Sequence, residues 1–203
     1  VDFEIFNESV SLGVARKKYK VSNEQNVVVC PRGLKSIYNN ETIIKSIEIV
    51  KKIIPDILYI FCGYYNHDID FEDAISSMGI RENVLFVGKL DREKELPFLY
   101  RDADVVVSVP TSDSSPLSVY EAMACKTDVI VSDLPWVHYK FKDLELSKVP
   151  VGDHQELADL IVKSIGNDNT NRINGLFQKV FNEINLFAEG EKLNNLYSKI
   201  MYE

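Results

Sequence analysis

The sequence predicts a single doubly wound α/β domain of Rossmann type, with a parallel sheet, helices on both faces and amphipathic helices at its C-terminus. Three observations carry that prediction. Short runs of Val, Ile, Leu and Phe recur between residues 26 and 132 and are apolar throughout rather than alternating, as strands buried on two faces are. Stretches with apolar residues at helical spacing lie between them, so strand and helix alternate. The 203 residues are 45% hydrophobic and 27% charged, which suits a folded globular chain with an ample core.

Residues 1–25 read as a linker (VDFEIF at its start) and a lead helix, Ser9 to Tyr19. Residues 26–168 form the Rossmann-like domain. NVVVCP (26–31) is its first strand, and Ile43, Ile44, Ile47, Val50 and Ile54 mark a helix over 41–54. ILYIFCG (57–63) is a second strand, followed by a helix over 71–78. NVLFVG (83–88) is a third strand with a helix over 93–101, and DVVVSV (104–109) a fourth with a helix over 116–125. DVIVS (128–132) is a fifth strand, and a weaker one near 149–151 precedes a helix over 154–164. Residues 169–203 read as one or two amphipathic helices with Leu186, Phe187, Leu193, Leu196, Tyr197 and Ile200 as apolar positions. They are expected to cover apolar surface, of this domain or of another outside the chain. The chain begins with Val1 rather than Met and is expected to be a fragment.

Composition narrows the function classes. The net charge of −8 gives no basic field to neutralise a nucleic-acid backbone. Cys30, Cys62 and Cys125 each sit in an apolar run and read as core thiols of a reducing compartment. No run of about 18 apolar residues exists to span a bilayer, and no signal peptide is visible. His67, His138 and His154 lack metal-ligand spacing, so no bound metal or other cofactor is expected. The glycine-rich dinucleotide fingerprint and the P-loop are both missing, which weighs against a nicotinamide dehydrogenase or an NTPase.

The most informative segment is Asp113-Ser-Ser-Pro-Leu-Ser-Val-Tyr-Glu121-Ala-Met-Ala124. Asp113 lies in a polar turn, and Glu121 is the only charge between Asp113 and Lys126, inside an otherwise apolar helix. A carboxylate there costs several kcal/mol unless something binds it. Open parallel sheets bind ligands at the carboxyl ends of their strands, where strand order reverses. The loops Arg32–Asn39, Gly88–Lys89–Leu90 and Thr111–Ser115 are expected to line that crevice. Ser115 suits a helix N-cap and Pro116 the first helical position, which would aim the free amides of Leu117 and Ser118 at an anion. Arg32 offers a planar fork of donors to a phosphate, and Lys35 follows it on the same loop. Donors for anions and carboxylates for hydroxyls on one rim suit a nucleotide sugar.

The run from Val84 to Trp136 resembles the C-terminal domain of family 4 retaining glycosyltransferases of the GT-B fold. The resemblance rests on an acidic residue, seven others, then EAMA and a Val-Ile strand; VDFEIF resembles that family's interdomain linker, and DHQELA (153–158) the start of a later helix. It implies hexosyl transfer from a UDP- or GDP-sugar, metal-independent and with retention. In that case Glu121 would meet the ribose, Asp113 the donor sugar, the amides after Pro116 the phosphates, Arg32 the pyrophosphate, and Gly88, Lys89 and Leu90 the base. Asp113, Glu121 and Arg32 are then the candidate catalytic residues, and Lys35, Gly88, Lys89, Leu90, Ser115, Leu117 and Ser118 complete the donor-binding set. The expected partners are the nucleotide sugar, a glycan or lipid-linked acceptor, and an N-terminal domain of the same polypeptide. The expected location is the cytoplasm, with peripheral contact at the inner membrane face through the other half.

The sequence departs from the family pattern at four places. Asp113 replaces the usual Glu, Ile37 and Tyr38 stand where a Lys usually follows Arg32, and Lys126 and Asp128 replace a Gly and a Pro after the motif helix. Two other readings stand beside the transferase: a nucleotide-sugar 2-epimerase of the same architecture, and a non-catalytic degenerate module that binds a nucleotide or a partner.

Overall fold

A computed structural model describes residues 1–64 and 71–202. Six parallel strands form one sheet in the order β3-β2-β1-β4-β5-β6. They are β1 (Val27–Cys30), β2 (Leu58–Cys62), β3 (Val84–Gly88), β4 (Val105–Ser108), β5 (Asp128–Ser132) and β6 (Ser147–Val149). Residues alternate along each strand between two separate cores. Val27, Val29, Ile60, Val106, Val129 and Val131 face one side, and Val28, Cys30, Tyr59, Phe61, Val105, Val107 and Ile130 the other. Both sides are covered, which is why β1 and β2 are apolar at every position.

The helices are α1 (Val14–Tyr19), α2 (Asn40–Val50), α3 (Phe71–Ser77), α4 (Leu96–Asp102), α5 (Leu117–Ala124), α6 (Pro135–Lys140), α7 (His154–Gly166), α8 (Thr170–Glu183) and α9 (Leu186–Tyr202). Helices α2, α3 and α7 pack on one core, and α4, α5 and α8 on the other. Helix α1 is shorter than expected because Gly13 takes a left-handed φ of 80° and breaks the run begun at Ser9. Helix α6 was not anticipated; Pro135 starts it, and Trp136 and Val137 are its buried residues. The tail forms two helices rather than one. Asn185 separates them, its side chain accepting the amide of Phe187 at 2.9 Å.

Residues 1–3 lie against α8 and α9, and residues 6–10 meet α4 and the end of α5. The Val1 amine donates to the Ile184 carbonyl at 2.6 Å and the Leu186 amide to the Val1 carbonyl at 2.8 Å. The Phe3 ring meets Phe181 edge-on at 5.0 Å, and Phe6 is fully buried. On α9 the apolar positions Leu186, Phe187, Leu193, Leu196, Tyr197 and Ile200 are at least half exposed. Among the described residues no helix is long and apolar enough to cross a membrane.

Three polar anchors fix the helices around the sheet. The buried Asp102 carboxylate, at the end of α4, accepts the amides of Gly13, Ala15 (2.7 Å) and Arg16 (3.0 Å), so it caps α1 from across the fold. Asp128, also buried, pairs with Arg172 of α8, whose Nη1 reaches Ser147 at 2.7 Å. At the end of α5, Lys126 carries the left-handed φ of 54° that Gly would normally supply. The Lys126 amide donates to Met123 and the Thr127 amide to Ala122, both at 3.0 Å, which closes a full Schellman turn without glycine. The Lys126 side chain offsets the strain by pairing with Glu8 at 2.5 Å and lying over the Phe177 ring at 4.9 Å. Replacing Asp102 with Ala strands three amides and is expected to cost about 2–3 kcal/mol, read as a lower urea midpoint. Asp102→Asn keeps an acceptor and should lose less; an unchanged midpoint in both variants would refute the capping role.

Candidate functional site

Strand order reverses between β1 and β4, so the loops leaving these two neighbours diverge and open a crevice at their carboxyl ends. After β1 the chain runs Pro31, Arg32, Gly33. A Cβ on Gly33 would lie 2.6 Å from the Tyr64 carbonyl oxygen, and Gly63, at φ 116°, approaches Gly33 as closely. The loops after β1 and β2 therefore touch backbone to backbone, and the Leu34 amide donates to the Tyr64 carbonyl at 2.8 Å. Only glycine permits this approach. Across the crevice, the Thr111 amide donates to the Ile37 carbonyl at 2.9 Å and joins the loop after β4 to the one after β1.

These contacts bring Arg32 and Asp113 together. Arg32 Nη1 donates to Asp113 Oδ2 at 3.0 Å, and the guanidinium lies over the Tyr38 ring at 4.6 Å. Asp113 Oδ1 accepts the amides of Ser114 and Ser115 at 2.7 and 3.1 Å. One carboxylate thus builds the turn and aims the guanidinium. Ile37 and Tyr38, the pair standing at the place of a usual lysine, supply a bridging carbonyl and a stacking ring instead.

Helix α5 starts one residue later than expected. Pro116 is its N-cap, at φ −75° and ψ 91°, without a capping side chain, and Ser115 is an exposed turn residue. The reason is local: Asp113 already binds the Ser115 amide, so Ser115 belongs to that turn. The amides of Val119 and Tyr120 both return to the Pro116 carbonyl. That leaves the Leu117 and Ser118 amides without an acceptor among the described residues, the arrangement expected of an anion site. The Ser118 hydroxyl oxygen is buried and also unpartnered.

Glu121 follows on the same helix and is 3% exposed. Its Oε1 accepts from Arg92 twice, from Nε at 2.7 Å and Nη2 at 2.6 Å. Its Oε2 takes no bond from any described residue. Burial pushes the Glu121 carboxyl above the usual range, and Arg92 pulls it back only in part. Arg92 was not among the sequence-derived candidates. The signal available was the buried acid itself, which demands a cation, and the loop after β3 holds three, Lys89, Arg92 and Lys94.

The remaining candidates lie on that loop and beside Arg32. Gly88 ends β3 at φ 72°, its carbonyl accepting the Gly63 amide at 2.8 Å. Lys89 is exposed, with its ammonium over the Tyr64 ring at 5.1 Å, and a bond to the Tyr64 hydroxyl raises its pKa. Leu90 packs on the core that α5 shares. Lys35 is exposed and makes no ion pair among the described residues. Cys30, Cys62 and Cys125 are buried free thiols. No group of three His, Cys, Asp or Glu able to hold a metal occurs among the described residues, and His67 lies outside them.

Comparison with known proteins adds the family. The profile described as "Glycosyl transferases group 1" matches residues 14–174. The alpha-monoglucosyldiacylglycerol synthase of Streptococcus pneumoniae is 26% identical over 96 residues, 47% of this chain and 21% of that protein. The matched stretch thus spans about a fifth of the length of this curated relative. Among solved structures, the C-terminal domain of the glycosyl transferase group 1 family protein LpcC from Francisella tularensis superposes with a TM-score of 0.79 at 20% identity, covering 92% of this chain and 99% of that one. HepE of Anabaena, solved in complex with UDP-glucose, gives a TM-score of 0.84 at 18% identity over 98% of this chain and 56% of its own. These structural likenesses are of fold.

The raised Glu121 pKa has a consequence for stability. The folded chain holds that proton to higher pH than the unfolded one, so stability falls as pH rises through the window between the two pKa values. Glu121→Gln removes the buried charge and should melt higher than the wild type at pH 7, with the gap closing on acidification. A variant that melts lower at pH 7 would count against the charge being a net cost to the fold.

Proposed function

The chain belongs to the group 1 glycosyl transferases, and from that premise we propose that it is the donor-binding half of a retaining enzyme of the GT-B, family 4 type. The enzyme moves a hexose from a UDP- or GDP-sugar to a glycan or lipid-linked acceptor. The observation that carries the reading is the pair of unlike ligand sites on α5. Free amides at Leu117 and Ser118 offer charge to an anion, and three residues further, about 5 Å along the axis, Glu121 offers an unpaired acceptor oxygen. A diphosphate and the ribose attached to it need these two chemistries in that order.

Arg32 completes the anion site. Only one of its five donors is engaged by Asp113, so the guanidinium shares its charge with a diphosphate without leaving its place. As the sugar departs, negative charge grows on the diphosphate. Arg32, the α5 amides and Lys35 supply positive potential fixed before the reaction starts, which is the larger part of such catalysis. No metal is needed in this scheme. Asp113, held by its own turn, faces the donor sugar, and Gly88, Lys89 and Leu90 border the base. UDP is named first because the Anabaena protein of the same fold was solved with UDP-glucose; the pneumococcal relative, a glucosyldiacylglycerol synthase by name, supports a lipid-borne acceptor class.

Acceptor binding belongs to an N-terminal domain, for which the exposed apolar positions of α9 are the proposed docking face. The enzyme works in the cytoplasm, its acceptor half meeting the inner membrane surface. Isothermal titration of the chain with UDP and GDP tests the reading. Arg32→Ala and Glu121→Gln are each expected to weaken nucleotide binding about 10- to 100-fold, the value of a charge-assisted hydrogen bond. If neither changes affinity, the non-catalytic module is the better description. The chain alone should turn over little donor; vigorous hexosyl transfer without a second domain would refute the division of labour.

A further inference from the structure

Glu121 is bound by Arg92 in a lopsided way. Both guanidinium contacts fall on Oε1, while Oε2 is left without a donor among the described residues. The turn that carries Arg92 is fixed at both ends. Asp91 Oδ1 accepts the amides of Glu93 and Lys94, each at 2.9 Å. Glu95 Oε2 accepts the Asp91 amide at 2.7 Å, which closes the turn from its other end, and Lys18 anchors Glu95. The guanidinium also lies 5.1 Å from the centre of the fully buried Phe6 ring. The turn sets where the Arg92 backbone lies, and the contacts with Phe6 and Glu121 set the guanidinium against Oε1.

We propose that Arg92 is a positioning residue for the donor nucleotide: by occupying Oε1 of Glu121 it aims Oε2 at the ribose diol and ties ribose recognition to the base loop. The proposal rests on the donor-binding reading above. Arg92 stands four residues after Gly88, on the loop that also carries Lys89 and Leu90. A nucleotide whose base moves this loop therefore moves the cation that orients the ribose acceptor, and the two halves of the nucleoside are read together. Arg92 is 43% exposed and so reaches solvent on its other side, whereas Glu121 is 3% exposed and depends on it.

A purely structural ion pair would affect stability alone, so the test compares UDP with 2′,3′-dideoxy-UDP, by calorimetry on wild type, Arg92→Met, Arg92→Lys and Glu121→Gln. In Arg92→Met, UDP affinity is expected to fall about tenfold while the dideoxy nucleotide binds as it does to wild type; Arg92→Lys recovers part of the loss. A second readout is pH. The groups acting on or responding to Glu121 are Arg92 from the loop, the Val1 amine, Tyr100 of α4 and Cys125 at the end of α5, with Arg101 acting on Cys125. Burial raises the Tyr100 and Cys125 pKa values, the latter to about 12, so both stay neutral over an assay range of roughly pH 5.5 to 8. Arg92 also lowers the pKa of the Val1 amine, so the pH readout is taken with that amine acetylated in both wild type and variant. Without Arg92, burial acts on Glu121 with less opposition, and UDP affinity should begin to fall on acidification at a higher pH than in wild type.

The proposal is overturned if Arg92→Met binds UDP as wild type does across that range, or loses UDP and dideoxy-UDP equally. The Glu121→Gln arm separates this from failure of the underlying reading. If Glu121→Gln itself leaves the difference between UDP and dideoxy-UDP unchanged, the ribose assignment is wrong. If Glu121→Gln abolishes that difference and Arg92→Met does not touch it, only the role of Arg92 is.

Discussion

The buried carboxylate of Glu121 constrains the whole of this fold's working end. It sits on a helix whose other buried positions are Val119, Tyr120, Ala122, Met123 and Ala124, packed toward the sheet and α8. An anion in such a place needs a cation, and the cation has to come from an element that crosses the site. The connection from β3 does so. Strand β3 is at the edge of the sheet, yet α4 packs beside α5 on the same core, so the loop between β3 and α4 passes over the carboxyl ends of the central strands. Arg92 rides on that loop, and the pairing distance of 2.6 Å follows from topology as much as from chemistry.

A second carboxylate works in the opposite manner. Asp113 spends one oxygen on the amides of its own turn and the other on Arg32, which stacks on Tyr38. Its job in the free protein is orientation, and no part of it is buried without a partner. The two acids of the motif therefore differ in kind: Asp113 is engaged through both oxygens, and Glu121 is paired through Oε1 only.

Elsewhere the chain uses buried acids only for architecture. Asp102 caps α1 and Asp128 binds Arg172, and both are fully engaged by protein donors. The contrast isolates Glu121 among the buried carboxylates. Lys126 makes a related point about the backbone. The Schellman turn after α5 forms with a left-handed lysine, because Glu8 and Phe177 hold its side chain and offset part of the strain. A departure from the family pattern at that position left the geometry intact.

Much of the fold was legible from residue order. Uninterrupted apolar runs such as VVVC and DVIVS mean strands covered on both faces, and their alternation with helical periods leaves a parallel sheet as the natural solution. Arg32, Asp113, the free amides of α5 and Glu121 were also legible, since a charge in an apolar period and an arginine just past a strand stand out against their neighbours. Helix α6, the short α1 and the cap at Pro116 were not, because each depends on a contact made by a distant or competing group. Sequence by itself determined which groups must find partners: a lone acid among apolar residues carries that demand wherever the chain places it. Only the tertiary structure decided who the partners are, because pairing Glu121 with Arg92 or Asp102 with α1 requires segments 29 and 86–89 residues apart to meet in space, and no local periodicity encodes that meeting.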